Sequence, residues 1–382
     1  MWRKYWSLIV FFRFLVCILI GISVFCMTAC VQNTKQISAK VFEDKTAGNV
    51  LFFVGEREFN DAGYTYGDSI NLSFSNGYAI DSVPYFSGYF APIGSSVITW
   101  NQSEPFLEFS VVKDTGAWQK ASLRKNDTVL ISLDQKGKYS DIQKARNVNY
   151  SDNRNDFATD EEFANFREVT VGDILPGRLY RGASPCNNVH RRASTADKLC
   201  EKHGIRTILD LSENVSKIPV YFSNNDYDSP YFEKVFGEEN VIAVDMGTMY
   251  CTEETQTSVV QGLEKLCDHE GPYYIHCIEG KDRTGFVLIL IEMLCGASYK
   301  EIEQDFMTSH YNYFHFTRET DLERYNIMKD TIFSPMVMII TGQPVSDVTN
   351  GSLENYAQNF LARYGMTDDE IKKLRNCFVS GK

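Results

Sequence analysis

The chain is short of positive charge. Its 382 residues carry 38 Lys and Arg against 50 Asp and Glu, a net charge of −12. Such a surface repels a long polyanion, which excludes nucleic-acid binding as the function. Cysteine occurs ten times but never as CxxC or with metal-ligand spacing, so neither a zinc site nor any other cofactor is implied. Long apolar runs are missing too. The candidate, Phe14 to Phe25, is an uncharged stretch of 12 residues, shorter than the roughly 20 that a membrane-spanning helix needs. Arg3, Lys4 and Arg13 precede it, and Met27-Thr28-Ala29 lead from it into Cys30. That is the layout of a secretion signal.

What the chain does have is concentrated in His276-Cys277-Ile278-Glu279-Gly280-Lys281-Asp282-Arg283-Thr284-Gly285. The run Pro272 to His276 reads as a strand, and Phe286 to Leu294 as a buried helix. The nine residues between them, Cys277 to Gly285, are therefore a strand-to-helix turn. Successive N–H groups at a helix start form an anion-binding nest, and the helix dipole adds about half a positive charge. Gly280 and Gly285 let the backbone curl close to a ligand. The same field favours a thiolate at Cys277, a nucleophile at neutral pH. Arg283 presents a planar fork to two phosphate oxygens. Thr284 is placed to donate its hydroxyl to the sulfur, and His276 to orient the loop through hydrogen bonds. Residues Ile278 to Arg283 then form the phosphate cradle.

His-Cys-x5-Arg-Thr resembles the signature of the cysteine-dependent protein tyrosine phosphatase superfamily, and Gly-Lys-Asp-Arg-Thr-Gly is similar to a bacterial branch with tyrosine and phosphoinositide phosphatase activity. Val171 to Pro185 looks like that branch's opening segment, and Tyr364 to Ile371 like the start of its closing helix. The likeness covers roughly residues 157 to 382. It implies hydrolysis of phosphomonoesters through a phosphocysteine, with phosphotyrosine proteins or phosphoinositides as substrates. The leaving oxygen needs an acid, and the water of the second step needs a base. Two aspartates compete for both. Asp245 lies where dual-specificity phosphatases carry their acid, whereas Asp282 is the residue that relatives sharing Lys-Asp-Arg are thought to use. Lys281 is a second cation able to accept another phosphate of the same ligand. Two rivals stand beside this: an inositol phosphate phosphatase, and a silent phosphate-binding surface protein.

The chain start resembles a bacterial lipoprotein signal, in which Cys30 becomes the lipidated first residue; Met27 departs from the usual leucine. An uncleaved anchor from Tyr5 to Ala29 is the other reading, burdened by Arg13. Either way the protein is expected outside the cytoplasm, held to a bacterial membrane. Cys251 is a candidate for a protective disulfide with Cys277.

The expected organisation is a signal over 1–29, a tether over 30–47, a β-rich domain over 48–150, a linker over 151–156 and an α/β domain over 157–382. Short strands bounded by turns over 48–150 predict a small all-β sandwich or barrel. Gly67 to Phe74 and Asn126 to Leu133 echo each other and predict paired hairpins without catalytic residues. Tyr85, Phe86, Tyr89 and Phe90 are either core or an exposed partner surface. Alternating helices and strands after residue 157 predict a central sheet flanked by helices. Helices are expected at Ala193 to His203 and Thr255 to His269. His310, Tyr311, Tyr313 and His315 are either a lid or a packed helix end.

Overall fold

The structure is a computed structural model and describes residues 34–380 except Gln102. The segment expected to be a signal, and Cys30, lie outside the described residues. Strands β1 (Ile37–Glu43), β2 (Val50–Phe52), β3 (Ser69–Phe74), β4 (Ala79–Pro84), β5 (Ser96–Trp100), β6 (Leu107–Val111) and β7 (Thr128–Gln135) form one antiparallel sheet in the order β4-β3-β7-β1-β2-β6-β5. Side chains alternate as a half-buried sheet requires: along β1, Ile37, Ala39 and Val41 are buried while Ser38 and Lys40 face water. Tyr85 and Ile98, at the two outer strands, form a bridge. The sheet therefore curls into a nearly closed barrel and covers its own edges. Phe52, Phe59, Ile70, Leu72 and Phe109 fill it.

Several expectations change here. The tether expected over 30–47 contains β1, which pairs with both β2 and β7. The two echoing segments do not build separate hairpins. They pair with each other, Leu72 opposite Ile131 and Phe74 opposite Val129. Only β3 also forms a hairpin, with β4, whereas β7 runs on into a helix at Ser140–Arg146. Tyr85 and Phe86 are buried, and Tyr89 and Phe90 are half-buried against the neighbouring core, so these aromatics are core rather than an exposed surface.

The second body is built on β8 (Arg167–Glu168), β9 (Leu179–Gly182), β10 (Thr207–Asp210), β11 (Val241–Ala243) and β12 (Tyr273–His276), in the order β11-β10-β12-β9-β8. Strands β11, β10, β12 and β9 are parallel and β8 is an antiparallel edge. β12 lies between β10 and β9, so the chain leaves the middle of the sheet at a carboxyl end, where open α/β sheets bind ligands. It then enters the helix Asp282–Leu294, buried from Thr284 to Leu294 because, Glu292 apart, Phe286 to Leu294 is apolar on every face. The helix Glu253–Leu266 starts two residues before the expected Thr255, since the Thr252 hydroxyl accepts the Thr255 amide and two glutamates occupy the first turn. Ala193–Lys202 ends one residue before the expected His203.

The two bodies share a core. Phe86, Ala91, Ile93, Val97 and Val112 from the barrel side pack in one cluster with Tyr250, Phe286 and Phe333. Backbone bonds cross the junction, from Ile93 N–H to the Thr331 carbonyl (3.1 Å) and from Cys251 N–H to the Lys113 carbonyl (3.2 Å). Residues 151–156, expected as a linker, lie against the second body: Arg192 donates to the Ser151 carbonyl at 2.8 Å and pairs with Asp152 at 2.5 Å.

Candidate functional site

The loop after β12 is shaped by what holds its carbonyls. Asn165 Nδ2 donates to the carbonyls of Glu279 (3.2 Å) and Gly280 (3.0 Å), Arg181 Nη2 to that of Gly280 (3.0 Å), and the Tyr313 hydroxyl to that of Glu279 (2.8 Å). Ser184 N–H donates to the Ile278 carbonyl at 3.1 Å. With the carbonyls tied outward on one side, the N–H groups of the same peptides turn toward the other, which is the condition for an anion nest. Gly280 makes the turn possible. Its φ is +67°, and a Cβ there would stand 2.1 Å from the Gly182 carbonyl, an approach that only glycine allows.

Cys277 sits at the base of this loop, 3% exposed. His276 is fully buried; its Nδ1 lies 3.2 Å from the Cys277 carbonyl and its Nε2 3.8 Å from Asp210. The Thr284 hydroxyl is buried without a protein partner. Arg283 Nη1 donates to the Met246 carbonyl at 3.3 Å. Burial penalises the Arg283 charge, yet the groups around it, Cys277 first, raise its pKa above the ordinary value.

Two of the expected residues do something other than foreseen. Lys281 is buried, paired with Glu279 at 3.0 Å. Its Nζ is also boxed by the rings of Tyr150, Tyr313 and Phe314 at 5.7, 5.2 and 5.1 Å. The cation expected to take a second phosphate is thus already engaged. Glu279, with the Tyr150 hydroxyl on its carboxylate, is turned to Lys281 rather than to a ligand. Burial acts to raise the Glu279 carboxyl, and Lys281 outweighs it and holds the group below the ordinary value.

The competing aspartates differ in surroundings. Asp245 is exposed, at a left-handed φ of +51°, and accepts from Asn214 Nδ2 at 3.3 Å. Its successor Met246 carries the carbonyl that Arg283 binds. Asp282 is half-buried, with Oδ1 shut off from solvent and unpartnered. Burial acts to raise its pKa, but Lys281, His310 whenever it is protonated, Lys113 and Arg146 outweigh it and lower the carboxyl below its ordinary value.

The residues that sequence reasoning missed come from outside the loop. Arg181, fully buried on β9, pairs with Asp305, which Arg167 also contacts at 2.7 Å. Lys113 and Arg146, on the barrel side where no site residue was expected, are among the charges that act on Asp282. A buried arginine within Leu179-Tyr180-Arg181-Gly182 was a signal for the first; nothing in the local pattern marks the other two. Tyr313 and His310 are buried in the helix Tyr299–Phe314, and Tyr311 is exposed. This segment packs against the loop as a helix end. Cys251 lies against the barrel, its N–H on the Lys113 carbonyl, and both it and Cys277 are free thiols.

A model described as the tyrosine phosphatase family matches residues 161–380. No curated protein matches the chain. Among solved structures, an uncharacterized conserved protein from Thermotoga maritima shares 18% identity at a TM-score of 0.23, the likeness covering 27% of this chain and 40% of that one.

Proposed function

The chain belongs to the tyrosine phosphatase family, and we propose that it hydrolyses phosphomonoesters, phosphotyrosine foremost, through a phosphocysteine intermediate. The observation that carries this reading is one loop that holds Cys277 and Arg283 together while its carbonyls are tied outward by Asn165, Arg181 and Tyr313. The Cys277 sulfur attacks phosphorus as the bond to the leaving oxygen breaks. Arg283 and the loop N–H groups bear the charge on the equatorial oxygens. Thr284, whose buried hydroxyl is unpartnered in the structure, is assigned to stabilise the sulfur before attack and again as it leaves. Water then cleaves the phosphorus–sulfur bond.

Asp282 is the proton donor in this reading, and then the base for water. A phosphate dianion in the cradle opposes Lys281, Lys113 and Arg146 and drives a proton onto Asp282. Asp245 instead supports Arg283 through the Met246 carbonyl. The reaction takes place outside the cytoplasm, with the protein anchored through lipidated Cys30.

Vanadate-sensitive phosphate release from a phosphotyrosine peptide tests the chemistry. Cys277→Ser is expected to abolish release, and Asp282→Asn to lower kcat by about a hundredfold or more, against less than about tenfold for Asp245→Asn. Release that persists in Cys277→Ser, or no release from folded wild-type protein, rejects the enzyme reading. The reverse order of the two aspartates moves the acid to Asp245. For the anchor, Cys30→Ala is expected to shift the protein from the membrane to the soluble fraction, and unchanged fractionation rejects lipidation.

A further inference from the structure

Glu279 and Lys281 flank Gly280 in the phosphate loop, and Lys281 immediately precedes the helix Asp282–Leu294. A lysine at that helix start is expected to serve a bound anion. Instead both charges are engaged with each other and with one tyrosine. Glu279 Oε1 accepts from the Tyr150 hydroxyl, and Oε2 lies 3.0 Å from Lys281 Nζ. The centre of the Tyr150 ring is 5.7 Å from that Nζ, and the Tyr313 and Phe314 rings complete the box. Tyr150 thus meets both members of the pair, one through its hydroxyl and the other through its ring.

Tyr150 comes from outside the loop, between the helix Ser140–Arg146 and the turn Arg154–Asp156, yet it is firmly held. The Arg192 guanidinium lies 5.4 Å from its ring and ties down the next two residues, donating to the Ser151 carbonyl and pairing with Asp152. The Tyr313 ring meets it edge-on at 4.7 Å. His190 Nε2 lies 3.3 Å from its hydroxyl, and His190 Nδ1 3.2 Å from Asp152. Burial first, and Glu279 after it, push the hydroxyl well above its ordinary pKa, so it keeps its proton and donates. Packing alone would be satisfied by a phenylalanine. The hydroxyl adds a fixed orientation of Glu279 and, through it, of Lys281.

We propose that Tyr150 is a specificity-determining residue: it fixes Glu279 on Lys281 and closes the aromatic box, withholding the lysine from the substrate, so that the site favours esters with a single phosphoryl group over those with a second phosphate beside the first. The inference rests on the phosphatase reading above. Tyr150 acts through Lys281 and is a positioning residue. A second phosphate gains little from an ammonium already neutralised by a carboxylate and covered by three rings, and its own desolvation goes uncompensated.

The test compares phenyl phosphate with catechol bisphosphate as substrates of the full chain. In wild type the ratio of kcat/KM, bisphosphate over monophosphate, is expected to be about one or less. Tyr150→Ala is expected to raise it about tenfold, the size of one charge-assisted hydrogen bond, chiefly through the KM of the bisphosphate. Tyr150→Ala/Lys281→Met is expected to return it to the wild-type value. A tyrosine that only held the loop together would lower activity on both substrates and leave the ratio where it was. An unchanged ratio in Tyr150→Ala, a rise that survives Lys281→Met, or a wild type that already favours the bisphosphate overturns the proposal. Should far-ultraviolet dichroism show Tyr150→Ala unfolded, Tyr150→Phe, which keeps the ring and frees Glu279, is judged on the same ratio. Calorimetric titration of both compounds into Cys277→Ser, with and without the Tyr150 substitution, reads the selectivity without turnover. Failure of catalysis and failure of the selectivity are thereby told apart.

Discussion

His310 is enclosed by the helix Tyr299–Phe314 and the loop, with Phe306 at 5.2 Å and Phe314 at 6.2 Å between ring centres. Burial first of all lowers its pKa from 6.5 to about 3, against an opposing pull from Asp282. The folded protein keeps the ring neutral, whereas the unfolded chain protonates it below about pH 6.5. The contribution to stability is therefore present in full above about 6.5 and declines as pH falls toward 3. Between pH 7 and pH 5 the decline is roughly 2 kcal/mol. Urea unfolding at the two pH values is expected to show a smaller difference in His310→Phe than in wild type by about that amount. Equal differences would mean that the ring is protonated in the folded state. The aromatic density around His310 was visible in the chain, but its neutrality was not, because it depends on what covers the ring.

β9 has a role that its four residues do not announce. It carries Arg181 to the underside of the phosphate loop, where the guanidinium joins the Gly280 carbonyl at 3.0 Å, the Lys281 carbonyl at 3.4 Å and the Asp305 carboxylate. Burial acts first on Asp305, but Arg167 and Arg181 hold its carboxyl far below the ordinary range, while burial and Asp305 raise the neighbouring Glu292 well above it. One carboxylate and one neutral acid thus share the space beneath the loop. Arg181→Met removes a partner from a buried charge, at a cost of about 3–5 kcal/mol, and also frees the loop carbonyls. Denaturant unfolding and vanadate titration are both expected to weaken. A variant that loses stability but binds vanadate as wild type does would show that Arg181 supports the sheet and not the loop. The opening segment around Arg181 was recognisable by its residues. Its partner was not, because Asp305 lies 124 positions along the chain and only folding brings it near.

The barrel and the α/β body differ in composition but share a hydrophobic core through Ile93, Val97 and Val112. Apolar burial common to both couples their unfolding. Trp100 and Trp118 report on the barrel, since both pack against its core, and far-ultraviolet dichroism reports mainly on the helices of the other body. The two signals are expected to give one coincident transition in urea, and to separate in Ile93→Asp, which places a charge in the junction. Separate transitions in wild type would mean that the bodies fold independently. The chain alone determined the layout of the loop: the cysteine, the arginine, the glycine at positive φ and the helix start are contiguous, and local backbone geometry sets their arrangement. It also showed the change from strand-rich to alternating sequence. The tertiary structure decided the rest. It boxed Lys281 among three aromatic rings, laid the supposed tether into a sheet, and brought Asp305 to Arg181 beneath the loop from 124 positions away. Such placements depend on which surfaces bury against each other, and neither spacing nor periodicity along the chain encodes that.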